Sequence, residues 1–432
     1  MLLLRAFRYA RFKCQCWSTI VLRPLLIRLS FFKARLLALS RRQPDGKCAL
    51  LLPTCDPGNL GDEAFFFGAV QELRQMGYQR VCVISFHREK MWKVPGAETI
   101  VLALHHNPAG SEYIRFVDFA SRFTHFFIWG ADILDGSQGL RTAIPRFRLA
   151  NLASTLGLKT SICSFSLNAS PDLRLLAGFG KTRPEVRLFC RDEVSLGRIT
   201  PYVSNGRAQL SADLAFLLEP DHDRPLSREV RAWVERRRQA GDLVLGLNIN
   251  DAFCWFFKDA TPKTLVGWYV QLYLKLREQL PQLALVHLPH NLHATPPSHG
   301  TDDFQLAAQF EEQLPLELRG QNFCLRRTVR ATEIRAICRY VDLVFSGRMH
   351  LSIAALAVGT PVLGVAYQGK FEGLFRHFGL ENTLLTQEQL RDSEVAARFL
   401  VANIQRLPKL RQAIADRLPH VKELARRNLK LE

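Results

Sequence analysis

Residues 341–380, VDLVFSGRMHLSIAALAVGTPVLGVAYQGKFEGLFRHFGL, hold two short apolar runs, each followed by a polar turn and a helical pattern. Val341–Phe345 runs into Ser346-Gly347-Arg348-Met349-His350, which opens an Ala-rich helix ending near Gly359. Pro361–Tyr367 runs into Gln368-Gly369-Lys370, which opens another. Short apolar runs alternating with helical patterns imply parallel strands joined by crossover helices. In such sheets the turns after successive strands emerge at one carboxyl edge, where ligands bind. Neighbouring strands lie about 4.8 Å apart, so Arg348, His350 and Lys370 are expected to face one crevice, with the Gly347 turn on the same side. An acid or base beside two fixed cations points to an anionic substrate undergoing proton transfer. For His350 the plainer alternative is an ordinary helix-cap or core hydrogen bond.

The same alternation begins at Lys47. Strands are expected at Cys48–Thr54, Val81–Phe86, Thr99–Leu104, His125–Gly130, Thr160–Leu167 and Val186–Cys190, with helices at Asp62–Met76 and Arg141–Leu156, and Ser211–Leu218 closing the unit. Residues 220–242, rich in Pro, Asp and Arg, read as a linker with an exposed helix. A second α/β unit starts at Leu243–Ile249. The predicted organisation is a basic extension (1–46), an acceptor-side Rossmann-like domain (47–219), the linker (220–242), a donor-side Rossmann-like domain (243–387), and helices (388–432) packing back on the first domain. The fold class is α/β: two doubly wound domains facing a cleft.

Charge is unevenly spread. The net +18 includes ten Lys or Arg and no Asp or Glu in residues 1–42; the other 390 residues carry only +8. That leader contains Trp17, Phe31 and Phe32, but its longest uncharged run, Cys14–Leu22, is too short for a bilayer span of about 20 residues. It lacks the apolar stretch and cleavage site of a secretory signal. Two readings stand: a basic amphipathic segment for an anionic inner membrane surface, or a loose extension or helix packed on the body. Ten scattered cysteines without repeated C-x-x-C indicate neither a zinc site nor a disulfide scaffold, and suit a reducing, cytoplasmic compartment. Basic residues are not interleaved with aromatics, which argues against nucleic acid.

Other turns supply candidates. Asp56–Glu63 follows the first strand and opens a helix; Asp62 and Glu63 in its first turn would repel a phosphate. Either the loop is a helix cap, or Asn59 with Asp62 and Glu63 holds sugar hydroxyls. Asp132, in Gly130–Gly136, is a carboxylate for the cleft or a turn former. Arg191 is a surface residue or an arginine aimed into the cleft, where its fork suits carboxylate or phosphate. His287, His290, His293 and His299 have a metal-like spacing, but Pro289, Pro296 and Pro297 break any helix there; substrate contact by His290 is the expectation, and no metal is expected.

Together these turns resemble polysaccharide pyruvyl transferases. GNLGDEA at 58–64, GADILDG at 130–136, Arg191-Asp192-Glu193-Val194-Ser195, and R-x-H…P-V-L-G-V-x-Y-x-x-K at 348–370 stand in that family's order. The resemblance spans roughly residues 48–385. It implies a fold similar to twin-Rossmann, GT-B-like glycosyltransferases, and transfer of the pyruvyl group of phosphoenolpyruvate to a sugar, typically as a ketal, with no metal or further cofactor. It implies His350 as the catalytic histidine, Lys370 as a phosphoenolpyruvate-binding cation, and Arg191 as the matching arginine. The family's usual Gly-Gly-Gly turn is Gly130-Ala131-Asp132 here. The implied partners are phosphoenolpyruvate and a free or lipid-linked glycan. A sugar-nucleotide glycosyltransferase is the main alternative, because fold does not fix chemistry. A catalytically silent carbohydrate-binding or scaffold protein is a further one.

Overall fold

The structure, a computed structural model, describes residues 22–40, 44–204, 206–255, 257, 260–292, 302–325, 327, 329–366 and 371–431. Strands lacking a polar face must be covered on both sides. β1 (Lys47–Leu52) buries every residue but its first, and β4 (His125–Ala131) is buried throughout. These form the centre of a parallel sheet with β2 (Tyr78–Ser85), β3 (Glu98–Val101), β5 (Lys159–Phe165), β6 (Arg187–Cys190) and β7 (Ala208–Leu210), in the order β3-β2-β1-β4-β5-β6-β7.

A second parallel sheet contains β8 (Leu243–Asn248), β9 (Leu283–His287), β10 (Phe323–Cys324), β11 (Leu343–Ser346), β12 (Val362–Val365) and β13 (Leu384–Leu385), ordered β10-β9-β8-β11-β12-β13. Both sheets therefore reverse strand order beside their first strand, between β1 and β4 and between β8 and β11. Leu51 pairs with Phe127 at one reversal and Leu247 with Phe345 at the other. Ligands of open α/β sheets bind beyond the strand ends at such switch points. The turns after β1, β4, β8 and β11 are thus where chemistry is expected.

One apolar core runs through both halves, with Phe216 of the first and Phe378 of the second 5.9 Å apart between ring centres. Buried Arg335, in helix Ala331–Tyr340, donates to the carbonyls of Ala215, Phe216 and Leu218 across the boundary. Beyond the last long helix, Leu407–Arg427, Asn428 returns to the first sheet: its Oδ1 accepts from Ser164 N (2.8 Å) and its Nδ2 donates to Ala212 O (3.0 Å).

Two segments differ from the sequence expectation, and the leader takes one of its two readings, the packed helix. Ser211–Leu218 is not a strand: β7 ends at Leu210, and Asp213 Oδ1 caps a short 3-10 turn, Leu214–Leu217, by accepting from Ala215 N (2.9 Å). Within the expected linker, helix Pro225–Gln239 buries Leu226, Val230 and Val234, so it is a covering layer of the second sheet. In the leader, Arg23–Ser40 is a helix lying along helices Gly110–Ala120 and Leu140–Thr155. It is fastened by Arg23 Nε to Pro108 O (3.0 Å) and Lys33 to Asp118 (2.5 Å).

Candidate functional site

The turn after β11 is built to hold one shape. Ser346 Oγ accepts from Arg348 N (2.9 Å), and Asn250 Nδ2, beyond β8, donates to Gly347 O (2.8 Å). The Phe253 ring lies so close to the Gly347 α-carbon that no side chain fits there. Helix Met349–Leu356 then begins, placing His350 in its first turn with the side chain 18% exposed.

Across the cleft stands helix Leu60–Gln75, capped by Asn59, whose Oδ1 accepts from Gly61 N (2.7 Å). Gly61 presents bare backbone to the imidazole of His350: an added Cβ would lie 2.8 Å from His350 Cβ and nearer still to its ring. One turn on, Phe65 meets the same ring edge-on at 5.3 Å. Glycine is required at position 61 by this approach, not by its backbone angles.

Beyond β6, Arg191 is buried, donating Nε and Nη2 to Ser166 Oγ (3.1 and 2.7 Å) and Nη1 to Asp213 Oδ2 (3.1 Å). That oxygen is also 3.7 Å from His350 Nε2. The distance is within ion-pair range but beyond a hydrogen bond, and Nε2 is buried with no hydrogen-bond partner among the described residues. The Asp213 carboxylate thus stands between a buried arginine and the histidine, and the arginine holds it in place. Asp213 is the site residue that sequence reasoning missed. Its signal was slight: a cap-forming Asp before an apolar turn at a strand end.

The remaining candidates divide into two groups. Asp62 is buried, accepting from Thr54 Oγ1 and, at 3.3 Å, from Cys55 Sγ. Burial raises its pKa, against the Thr54 hydrogen bond and the nearby His350 charge; the Asp132 charge raises it further. The Cys55 thiol is pushed well up by burial and by Asp62. Below them Arg146, wholly buried, donates to the carbonyls of Pro53 (2.9 Å) and Thr54 (2.7 Å), and burial lowers it to about 10. Ala131 adopts φ +40, the left-handed region natural to glycine, which is the physical content of a glycine-rich turn there. Asn59, Asp62 and Asp132 therefore gather on the first-domain wall.

Glu63 crosses the boundary instead. Its Oε1 accepts from Ala331 N (2.9 Å), and burial raises its pKa. His290 also sits at this seam: Leu60 N donates to its carbonyl (3.3 Å), and Asn59 bridges to Asn291. The His290 ring is buried with neither nitrogen partnered, and burial, then the charges of His350 and Arg348, depress its pKa well below normal. Arg348 does not stand free in the cleft. It forks onto buried Asp303 (2.9 and 2.6 Å) and reaches Asp251 at 3.3 Å. Asp303 in turn accepts from His290 N (2.8 Å), Asn291 N (3.0 Å) and Asn248 Nδ2 (3.0 Å). Lys370 lies outside the described residues, as do His293 and His299.

Space is distributed unevenly. A closed void of about 10 Å³, room for about one water, separates Arg191 and Asp213 from Met349 and His377. An open cavity of about 930 Å³ flanks helix Leu60–Gln75, walled by Trp92, Lys93, Arg224, Arg330 and Asp223. One group of potential metal ligands exists among the described residues, His287, Glu311 and Cys324, with donor atoms within 4.8 Å. His287 Nε2 and Glu311 already hydrogen-bond at 3.1 Å, and Asn322 Nδ2 donates to the same oxygen at 2.8 Å. Among the described residues no helix is long and apolar enough to cross a membrane.

The sequence profile of a family described as "Polysaccharide pyruvyl transferase" matches residues 59–369. No curated protein sequence matches the chain. Among solved structures, S. aureus MnaA with UDP is similar at TM-score 0.56 and 11% identity, over 89% of this chain and 95% of that one. UDP-GlcNAc 2-epimerase from Neisseria meningitidis bound to UDP-GlcNAc gives 0.53 and 11%, over 89% and 98%. A UDP-forming α,α-trehalose-phosphate synthase from Burkholderia vietnamiensis gives 0.50 and 11%, over 89% and 96%. At such identities the likeness establishes the twin Rossmann-like, GT-B architecture and leaves the chemistry to the site.

Proposed function

Because this chain belongs to the polysaccharide pyruvyl transferase family, we propose that it moves the pyruvyl group of phosphoenolpyruvate onto a sugar of a polysaccharide or its precursor, releasing phosphate and forming a ketal. The reading is supported above all by His350, in the turn after β11 where the second sheet reverses order, whose unpaired Nε2 stands 3.7 Å from Asp213. Histidine titrates near neutrality and suits an acid that later acts as a base.

In the proposed reaction His350 gives a proton to the methylene carbon of phosphoenolpyruvate. The double-bond electrons form the new C–H bond, and the adjacent carbon gains oxocarbenium character. A sugar hydroxyl attacks that carbon and loses its proton; phosphate departs with the C–O bonding pair; a second hydroxyl attacks the same carbon, its proton returning to His350, and closes the ketal. Asp213, held by Arg191, fixes the position facing the imidazole. Asp62, with its raised pKa beside His350, suits acceptance of a hydroxyl proton. Lys370 takes the donor role on the sequence resemblance. Arg348, already forked onto Asp303, is assigned as a positioning residue that fixes the His350 turn. Asn59, Asp132 and His290 remain acceptor-side residues, while Glu63, engaged with Ala331 N, holds the two domains together.

The test is phosphate release from phosphoenolpyruvate across free and lipid-linked oligosaccharides, with UDP-sugars as control donors. Glycan-dependent phosphate release, absent in His350→Ala, is expected. Turnover of UDP-sugars without consumption of phosphoenolpyruvate would transfer the site to the glycosyltransferase reading.

A further inference from the structure

Helix Arg23–Ser40 has two apolar faces, although a helix packed on a domain needs one. The inner face sets Ile27, Phe31 and Leu37 against the first-domain core and buries Ser30 and Ala34. The outer face carries Leu25, Leu29, Phe32, Leu36 and Leu39, with Leu22 just before the helix, at alternating spacings of three and four residues. All six are exposed, from 45% for Leu29 to 87% for Leu39. At 3.6 residues per turn they form one stripe about 27 Å long. Arg28 and Arg35, both exposed, border it on one side and Lys33 on the other. These six account for most of the exposed large apolar residues among the described ones.

We infer that this stripe is a membrane-contact surface that lies in the interface of an anionic lipid bilayer. The choice of occupant rests on charge. Residues 1–42 carry ten cations and no acid, so a second copy laid on the same stripe would meet like charge, whereas an anionic bilayer meets it with opposite charge. No described helix can span a bilayer, so the contact is with the surface. Arg23, at the start of the helix, bonds Pro108 O in the loop between β3 and helix Gly110–Ala120, at the carboxyl edge of the first sheet. A helix lying in the interface would therefore bring that rim of the cleft close to the lipid. The inference concerns binding alone and stands whether or not the pyruvyl-transfer reading holds.

The experiment is co-sedimentation of the full chain with vesicles of phosphatidylglycerol and phosphatidylcholine, against pure phosphatidylcholine. The wild type should pellet with the anionic vesicles and lose about fivefold in partitioning for each cation screened or neutralised. The exposed-face variant Leu29→Glu/Phe32→Glu/Leu36→Glu should bind at least about tenfold more weakly, the low end for losing burial of even one large apolar side chain. Its thermal melt should match wild type. A second variant, Arg28→Gln/Arg35→Gln, keeps the apolar stripe and should lose about 25-fold in partitioning onto anionic vesicles, with binding to neutral vesicles unchanged. The inference is overturned if wild type stays in the supernatant, if it binds neutral and anionic vesicles equally, or if the triple variant binds as wild type does. A lipid-free dimer that the triple variant dissolves would also overturn it, by assigning the stripe to a second copy.

Discussion

Gly61→Ala tests the architecture with a single methyl group. In the first turn of a helix, alanine is normally the better residue, by up to about 1 kcal/mol. Here the added carbon would sit 2.8 Å from His350 Cβ, where ordinary contact begins at 3.4 Å. Relief requires a displacement of at least about 0.6 Å, and Cβ is too near the backbone to swing away by a rotamer change. Overpacking typically costs about 1–3 kcal/mol, so net stability should fall by roughly 0–2 kcal/mol. Activity should fall more, because a misplacement of about 1 Å in a catalytic group costs about 100-fold; a loss of about 10- to 100-fold in kcat is expected. The assay pairs phosphate-release kinetics with denaturant melts, for Gly61→Ala alone and in a His350→Ala background. On that background the alanine should cost little further activity, since both substitutions disable one group. Wild-type kcat in Gly61→Ala, or a full additive loss in the double variant, would refute the packing argument.

Three further outcomes follow from the same geometry. His350→Ala should lower turnover by at least about 100-fold, the lower range for acid–base groups, with an unchanged melt; near-normal turnover removes the residue from its role. Asp213→Ala leaves buried Arg191 without its carboxylate and should destabilise the fold by about 3–5 kcal/mol, while milder Asp213→Asn should lower kcat with a smaller loss of stability; a stable, fully active alanine variant contradicts the pairing. For Asp62 the folded pKa is raised above 3.8. The native carboxyl thus keeps a proton that the unfolded chain has lost, and the associated stability disappears as pH rises from about 4 through the folded pKa. Asp62→Asn has no such titration, so its Tm relative to wild type should climb from about pH 4 toward neutrality; a flat difference would show that Asp62 is not perturbed in this sense.

The two sheets were legible because buried parallel strands are nearly continuous apolar runs, as in HFFIWGA of β4. His350 and Arg191 were legible because both directly follow such runs. Their relation was not, because it passes through Asp213, in a segment whose apolar run reads as a strand until the aspartate caps it. Arg348 looked like a free cation because its partner Asp303 lies 45 positions earlier, separated in sequence by β10, helix Ala331–Tyr340 and β11. Glu63 was assigned to sugar, and its hydrogen bond to Ala331 N joins residues 268 apart. The leader's charge was plain in the sequence, but only packing reveals which of its apolar residues face outward.

The claim on which the rest depends is that His350 delivers a proton to carbon. Running the reaction in D₂O and reading the product methyl group by NMR or mass spectrometry tests it directly. The expected product carries a single solvent-derived deuterium per transferred pyruvyl group, and its rate of formation collapses in His350→Ala. A product methyl free of deuterium, or an undiminished rate of deuterated-product formation by the alanine variant, would contradict it.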